Sequence, residues 1–195
     1  MDVESLMSFT PDVRRRTEGL VFLALFALTI PAANWLIQHA GTTCVPHGPC
    51  LVPVLPGLSA PSGVLMVGVA LVLRDLVQRR LGVAVSALSV LIGALLSAFL
   101  APPALVLASA AAFLVSEMAD LAVYTPLARR RMVTAVIASG VVGLVVDSLL
   151  FLWLAFGSLD FLAGQVVGKA WMVLLSIPFV LWLRRRDERL GLAAA

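Results

Sequence analysis

The stretch FLAGQVVGKAWMVLLSIPFVLWL, residues 161–183, is long and apolar enough to cross a bilayer, yet it carries Lys169, the only lysine of the chain. About 20 apolar helical residues span the roughly 30 Å hydrocarbon core of a membrane. A charge inside such a segment is costly and is kept chiefly where function requires it. The stretch therefore predicts a membrane helix, and Lys169 becomes a candidate functional residue.

The composition extends this interpretation to the whole chain. Of its 195 residues, 61% are hydrophobic and 13% are charged, which is more apolar surface than one soluble core can bury. The predicted fold class is an all-α integral membrane protein with six transmembrane helices, forming a single membrane domain over residues 1–195. A window of about 20 residues places the spans at roughly 19–38, 61–80, 82–100, 103–124, 132–156 and 161–183.

The arginines lie at alternate connections between the predicted spans. Apart from Arg74, they occupy residues 14–16, 79–80, 129–131, 184–186 and 189. The connections near 39–60, 100–103 and 157–160 contain neither arginine nor lysine. This positive-inside pattern predicts a multi-pass protein of the inner cell membrane with both termini in the cytoplasm, and it argues against a basic patch for nucleic acid. No cleavage site follows the first apolar run, so we expect the first span to remain in the mature protein.

The first outward connection holds both cysteines and both histidines of the chain. Cys44 and Cys50 have the spacing C-x5-C, which in an oxidising compartment suits a small disulfide loop. Free thiols are one alternative. A metal site that adds His39 or His47 is another, although the spacing matches no common zinc motif. The sequence leaves these three readings open.

The chemistry must come from polar side chains inside the apolar spans. These are Asn34 and Gln38 in the first span, Arg74 and Asp75 in the second, Glu117 and Asp120 in the fourth, Asp147 in the fifth, and Gln165 and Lys169 in the sixth. A helical rise of 1.5 Å per residue sorts them by depth. By this count Lys169 lies about 12 Å and Asp147 about 8 Å below the outer surface, so we predict that they pair.

The outer half of the predicted bundle also contains Asn34 and Gln165. Because a buried ion pair is a poor source of stability, the amides around Lys169 and Asp147 favour a cavity for a polar ligand over a purely structural pair.

The inner half contains a second polar layer. There Arg74 is expected to pair with Asp120 or Glu117, with Asp75 beside it. This layer is interpreted as a structural or gating ion pair close to the cytoplasmic ends of the helices.

Four of these segments resemble the VUT (vitamin uptake transporter) family, whose characterised bacterial members are queuosine-precursor transporters. The segments keep their order along the chain: PSGVLMVGVALVLRDLVQRRLG (61–82), SEMADLAVYTPLARRR (116–131), VVDSLLFLWLAFGS (145–158) and GQVVGKAWMVLLSIP (164–178). The resemblance implies a six-helix transporter that serves tRNA modification by importing a deazapurine, either 7-cyano-7-deazaguanine or its 7-aminomethyl relative, without a cofactor.

A guanine-like edge offers two adjacent donors, N1–H and the 2-amino group, which one carboxylate can accept side by side. Glu117 is the first choice for this carboxylate and Asp147 the second. Lys169, Gln165 and Asn34 are expected to donate to the 6-oxo group and a ring nitrogen. The stacking face is expected from an aromatic side chain, and the candidates are Trp35, Phe113 and Phe151.

The sequence contains no phosphate-binding loop, so we expect that this chain does not hydrolyse ATP itself. Three transport mechanisms are compatible with that expectation. A proton-coupled or facilitated carrier fits the intramembrane carboxylates. The alternative is a substrate-binding membrane subunit that borrows an ATPase. An intramembrane enzyme is disfavoured, because no nucleophile or metal set accompanies the carboxylates.

Small-residue stripes in the third and sixth spans are packing surfaces. They could meet within one bundle or between two copies, so a homo-oligomer stays open.

Overall fold

The computed structural model describes residues 11–46, 48–101 and 105–192. The predicted start of the fourth span at residue 103, and His47, lie outside the described residues. Within them the chain forms six helices and three short strands: α1 (Pro11–His39), β1 (Thr43–Cys44), β2 (Cys50–Leu55), β3 (Leu58–Pro61), α2 (Val64–Leu81), α3 (Val83–Leu100), α4 (Val106–Ala128), α5 (Met132–Phe156) and α6 (Leu162–Leu190).

Five helices in the described part of the chain are long and apolar enough to cross a membrane, namely α1, α3, α4, α5 and α6. The sixth helix, α2, combines an apolar first half with Arg74, Asp75, Arg79 and Arg80 in its second half. The protein is therefore mostly helical and multi-pass, as the apolar runs predicted.

The lipid-facing and core-facing sides of the helices separate clearly. Phe26, Val77 and Tyr124 are at most 1% exposed at the centre of the bundle. By contrast, Phe99 is 85% exposed and Leu107 73% exposed. Large apolar side chains on the outside are a liability in water, but they match the acyl chains of a bilayer.

The connection between α1 and α2 folds into a small antiparallel sheet, in the order β1-β2-β3, which the apolar runs of the sequence did not indicate. Alternating valines in β2 suit a strand, and Gly57, with φ of 73°, allows the tight turn into β3. Cys44 and Cys50 are partners in the β1–β2 register and are joined by a disulfide. We call this side of the molecule the sheet end.

The sheet is attached to the helices by side-chain hydrogen bonds. The indole N–H of Trp171 on α6 donates to the Val54 carbonyl at 3.2 Å. The Ser62 hydroxyl donates to the Leu36 carbonyl of α1 at 2.7 Å. The sheet is thus anchored to α1 and α6.

Two glycines let neighbouring helices approach closely where polar side chains meet. A Cβ atom on Gly143 would lie 2.8 Å from Leu71 Cδ2 and 3.1 Å from Asp120 Oδ2. A Cβ atom on Gly68 would lie 3.0 Å from the carbonyl oxygen of Lys169. Because these three distances are shorter than ordinary contacts, only glycine fits at these crossings without a shift of the neighbouring groups.

Candidate functional site

Lys169 is enclosed by polar partners from α5 and α6. Its ammonium donates to Asp147 Oδ2 at 2.5 Å, and to Ser148 Oγ and Gln165 Oε1 at 2.8 Å each. The side chain of Lys169 is 1% exposed and that of Asp147 is 10% exposed. Since all three ammonium donors are used, the cation is held in one position beside its carboxylate.

The second oxygen of Asp147 is less occupied. Ser116 on α4 donates to Asp147 Oδ1 over 3.4 Å, which is long for a hydrogen bond from a hydroxyl group. A carboxylate has about four acceptor sites. Asp147 can therefore keep its bond to Lys169 and still accept hydrogen bonds from a ligand.

A cavity lies directly beside this pair, in the half of the bundle next to the sheet end. It comprises about 700 Å³ of space free of protein atoms, counting its open mouth. All six helices of the described chain contribute to its wall. Its polar lining consists of Thr29, Asn34, Ser97, Ser109, Asp147, Gln165 and Lys169.

The cavity brings together most of the side chains predicted to bind a ligand. Asn34, Gln165, Asp147 and Lys169 lie on its wall, and its aromatic lining is formed by Phe113 and Phe151. The amide of Asn34 donates to the Ile30 carbonyl at 3.0 Å. That bond leaves the amide oxygen of Asn34 available as an acceptor.

Two predicted ligand contacts lie elsewhere among the described residues. Trp35 is 58% exposed and stacks on His39 with ring centroids 5.4 Å apart, so it faces away from the cavity. Glu117 is buried, and it is bonded to Arg74 and not placed on the cavity wall. In both cases the rotation of the helix about its axis decides the direction of the side chain, and that rotation is set by packing against the other helices.

Three lining hydroxyl groups were missed because serine and threonine are common in membrane helices. Thr29 lies one helical turn before Ala33, and both residues line the cavity. Its hydroxyl donates to the Phe26 carbonyl at 2.6 Å. Ser97 and Ser109 complete the set from α3 and α4. Thr29 and Asn34 are five residues apart and do not share a helix face, so their spacing offered no signal for Thr29.

Arg74 is the centre of a second polar cluster. Its guanidinium lies 2.9 Å from Asp75, 2.9 Å from Glu117 and 2.5 Å from Asp120. These four side chains are at most 2% exposed, and Ser139 adds a hydrogen bond to Asp75 at 3.0 Å. Three carboxylates thus surround one guanidinium, whose five donors suit such an arrangement.

The two clusters are connected through α4. Ser116 contacts Asp147, and the next residue, Glu117, contacts Arg74. A movement of this turn of α4 would therefore change both clusters together. Within the described part of the chain, no group of histidine, cysteine, aspartate and glutamate side chains is arranged to hold a metal ion.

A third network joins the helices at the opposite side of the molecule, which we call the arginine end. Arg80 donates to both oxygens of Asp187, at 2.9 and 2.7 Å, and to Glu18 at 2.9 Å. Arg79 also reaches Asp187 at 3.0 Å, and Arg186 reaches Glu18 at 2.6 Å. This network ties α1, α2 and α6 together. From the sequence, these arginines were interpreted only as indicators of membrane topology.

A protein-family model described as "Putative vitamin uptake transporter" matches residues 84–183. The matched region is slightly more than half of the 195 residues. The chain belongs to this family of transporters. No curated protein and no solved structure gave a significant match to the chain.

The family match confirms the resemblance deduced from the motifs. In this vitamin uptake transporter family member, three of the four quoted segments fall inside the matched region, and they supply Glu117, Asp147 and Lys169. Asn34 and Arg74 precede that region, so their place in the site rests on the structure.

Proposed function

We propose that the protein imports a queuosine precursor, 7-cyano-7-deazaguanine or its 7-aminomethyl relative, across the inner cell membrane. The observation that carries this proposal is the cavity beside the buried Asp147–Lys169 pair in a member of a transporter family. Intramembrane ionisable groups next to a cavity are typical of substrate pathways.

The proposed topology has six crossings, with the sheet end outside and both termini in the cytoplasm. It is supported by the arginine distribution and by a disulfide at the sheet end, since disulfides persist in oxidising compartments. We take α2 as the sixth crossing. Its Arg74 and Asp75 are at most 1% exposed, so they face protein and not lipid.

In the proposed complex, Asp147 accepts the guanine-like edge of the cargo. Its partly occupied carboxylate can receive N1–H and the 2-amino group side by side, whereas Glu117 would first have to leave Arg74. Gln165 and Asn34 contact the remaining polar edge, and Lys169 holds the carboxylate in place. An aminomethyl cargo has a second orientation, in which its ammonium group takes the place of the guanine-like edge at Asp147.

Stacking completes the proposed recognition. Phe113 on α4 and Phe151 on α5 both line the cavity, and a flat heteroaromatic ring gains contact area against such faces. The combination of two phenyl rings, one carboxylate and two amides matches a small planar solute with many hydrogen-bonding groups.

The Arg74 cluster supports coupling to protons. If all three carboxylates were ionised, this buried layer would hold three negative charges against the single positive charge of Arg74. The carboxylates are those of Asp75, Glu117 and Asp120. Uncompensated charge there is costly, so we propose that the cluster holds a proton and exchanges it during transport. The shared turn of α4 offers a route from cargo binding to that exchange.

A binding assay with the purified protein in detergent tests cargo recognition independently of the energy source for transport. The ligands are labelled 7-cyano-7-deazaguanine and its aminomethyl relative. We expect saturable binding of at least one of them, returned chemically unchanged on analysis. If neither compound binds the folded protein, the proposed cargo is wrong. A chemically altered compound would indicate an enzyme.

A further inference from the structure

A second cavity lies at the arginine end, between α2, the connection from α4 to α5, and the end of α6. It comprises about 690 Å³ of space free of protein atoms, counting its open mouth. Its charged lining consists of Arg79, Arg129, Arg130, Arg184, Asp187 and Glu188. Arginine therefore outnumbers acid on the wall of this cavity.

The two acids are already engaged by arginine. Asp187 accepts hydrogen bonds from Arg79 and from Arg80, which lies outside the cavity lining. Glu188 accepts a hydrogen bond from Arg184 at 2.8 Å. The positive charge of the remaining arginines on this wall is consequently not balanced by these carboxylates.

Arg129 and Arg130 are the unpaired members of the set. Both are exposed, and neither makes a side-chain hydrogen bond or ion pair with any residue in ranges 11–46, 48–101 and 105–192. Each guanidinium presents five donors in a planar fork that fits phosphate oxygens. They are free to turn toward an anion in the cavity.

The start of α5 adds a second, independent attraction for an anion. Met132, the first residue of this 25-residue helix, lines the same cavity, and Arg131 at the N-cap provides no side-chain cap. The first N–H groups of a helix have no intrahelical partner, and the helix dipole makes this end positive. Such helix starts are ready sites for phosphate.

We propose that this cavity binds a phosphate group, held by Arg129, Arg130 and the first turn of α5. The phosphate can come from an anionic phospholipid of the cytoplasmic leaflet or from a free phosphate compound. In the proposed topology the arginine end faces the cytoplasm, where basic pockets between helices take up lipid headgroups. A phosphate here would also bridge α5 to α6 through Arg184, which strengthens this end of the bundle.

The test compares two double variants of equal charge loss. Arg129→Gln with Arg130→Gln removes the proposed contacts, while Arg14→Gln with Arg16→Gln changes exposed arginines outside the cavity. Each purified protein is titrated in neutral detergent with phosphatidylglycerol, with phosphatidylcholine and with inorganic phosphate. Binding is followed by native mass spectrometry and by the melting temperature.

We expect phosphatidylglycerol or phosphate to bind and stabilise the wild type and the Arg14/Arg16 variant, and to bind about tenfold or more weakly to the Arg129/Arg130 variant. A response to phosphatidylglycerol alone identifies a lipid headgroup as the source, and a response to inorganic phosphate identifies a free compound. Equal binding by both double variants, or no binding by the wild type, overturns the proposal. None of these readouts depends on the transported cargo.

Discussion

The Lys169 ammonium lies 2.5 Å from the Asp147 carboxylate, and both side chains line one cavity in the half of the helix bundle next to the sheet end. A buried ion pair adds little net stability, because desolvation offsets the attraction of its charges. The pair therefore indicates a role in ligand recognition, because Lys169 holds the Asp147 carboxylate in a fixed position on the cavity wall.

Asp147→Asn removes the proposed acceptor for the guanine-like edge. Charge-assisted hydrogen bonds contribute about 1.5–3 kcal/mol each, so we expect cargo affinity to fall by about tenfold to a hundredfold. Isothermal titration with the purified variant measures the change. Asp160→Asn, at an exposed carboxylate near the sheet end, is the matched control and should bind as the wild type does. Unchanged affinity in Asp147→Asn would assign recognition to another group.

Glu117→Gln separates binding from transport. Glu117 is bonded to Arg74 and lies next to Ser116, which contacts Asp147. We expect this variant to be expressed and to bind cargo, but to lose uptake, because one carboxylate of the proton-holding cluster is gone. Parallel binding and vesicle uptake assays give the answer. Normal uptake by this variant would remove Glu117 from the mechanism.

Arg74→Gln leaves three buried carboxylates without their cation. Removing one partner of a buried ion pair costs about 3–5 kcal/mol, so we expect a strongly destabilised protein in a denaturation experiment. Arg74→Lys restores the charge without the planar fork and should recover part of the loss. Arg14→Gln, at an exposed arginine, should change stability little. Wild-type stability in Arg74→Gln would show that the cluster does not depend on its arginine.

Gly143→Ala tests the close approach of α5 to α2 and α4. The new methyl group would lie 2.8 Å from Leu71 Cδ2 and 3.1 Å from Asp120 Oδ2, and such overpacking costs about 1–3 kcal/mol. Gly140→Ala is the control, since its methyl group would meet Val173 at 3.3 Å. We expect the melting temperature of Gly143→Ala to be lower than that of Gly140→Ala. The reverse order would contradict the packing described.

Helical rise explains how much of the site could be predicted from the sequence. Each helix advances by a fixed 1.5 Å per residue, so counting from the membrane surfaces placed Lys169 and Asp147 at similar depths, and they are in contact in the structure. The six apolar runs likewise correspond to the six helices of the described chain. Depth follows from local geometry.

Direction about the helix axis does not follow from local geometry, because packing against the other helices sets it. Glu117 could face either polar layer at its depth, and it lies against Arg74. Arg80 and Asp187, 107 residues apart, are joined only by the assembled bundle. The sheet was missed for a related reason: its strands are two to six residues long, too short for a clear alternation of apolar and polar residues.

Uptake into liposomes that contain this protein alone tests the central claim most directly. Labelled 7-cyano-7-deazaguanine or its aminomethyl relative is added outside, with the outer solution more acidic than the lumen. We predict saturable accumulation of unchanged cargo that falls when a protonophore dissipates the gradient. Accumulation no greater than in protein-free liposomes, from a preparation that still binds cargo, would contradict the carrier account and identify a binding subunit that needs an ATPase.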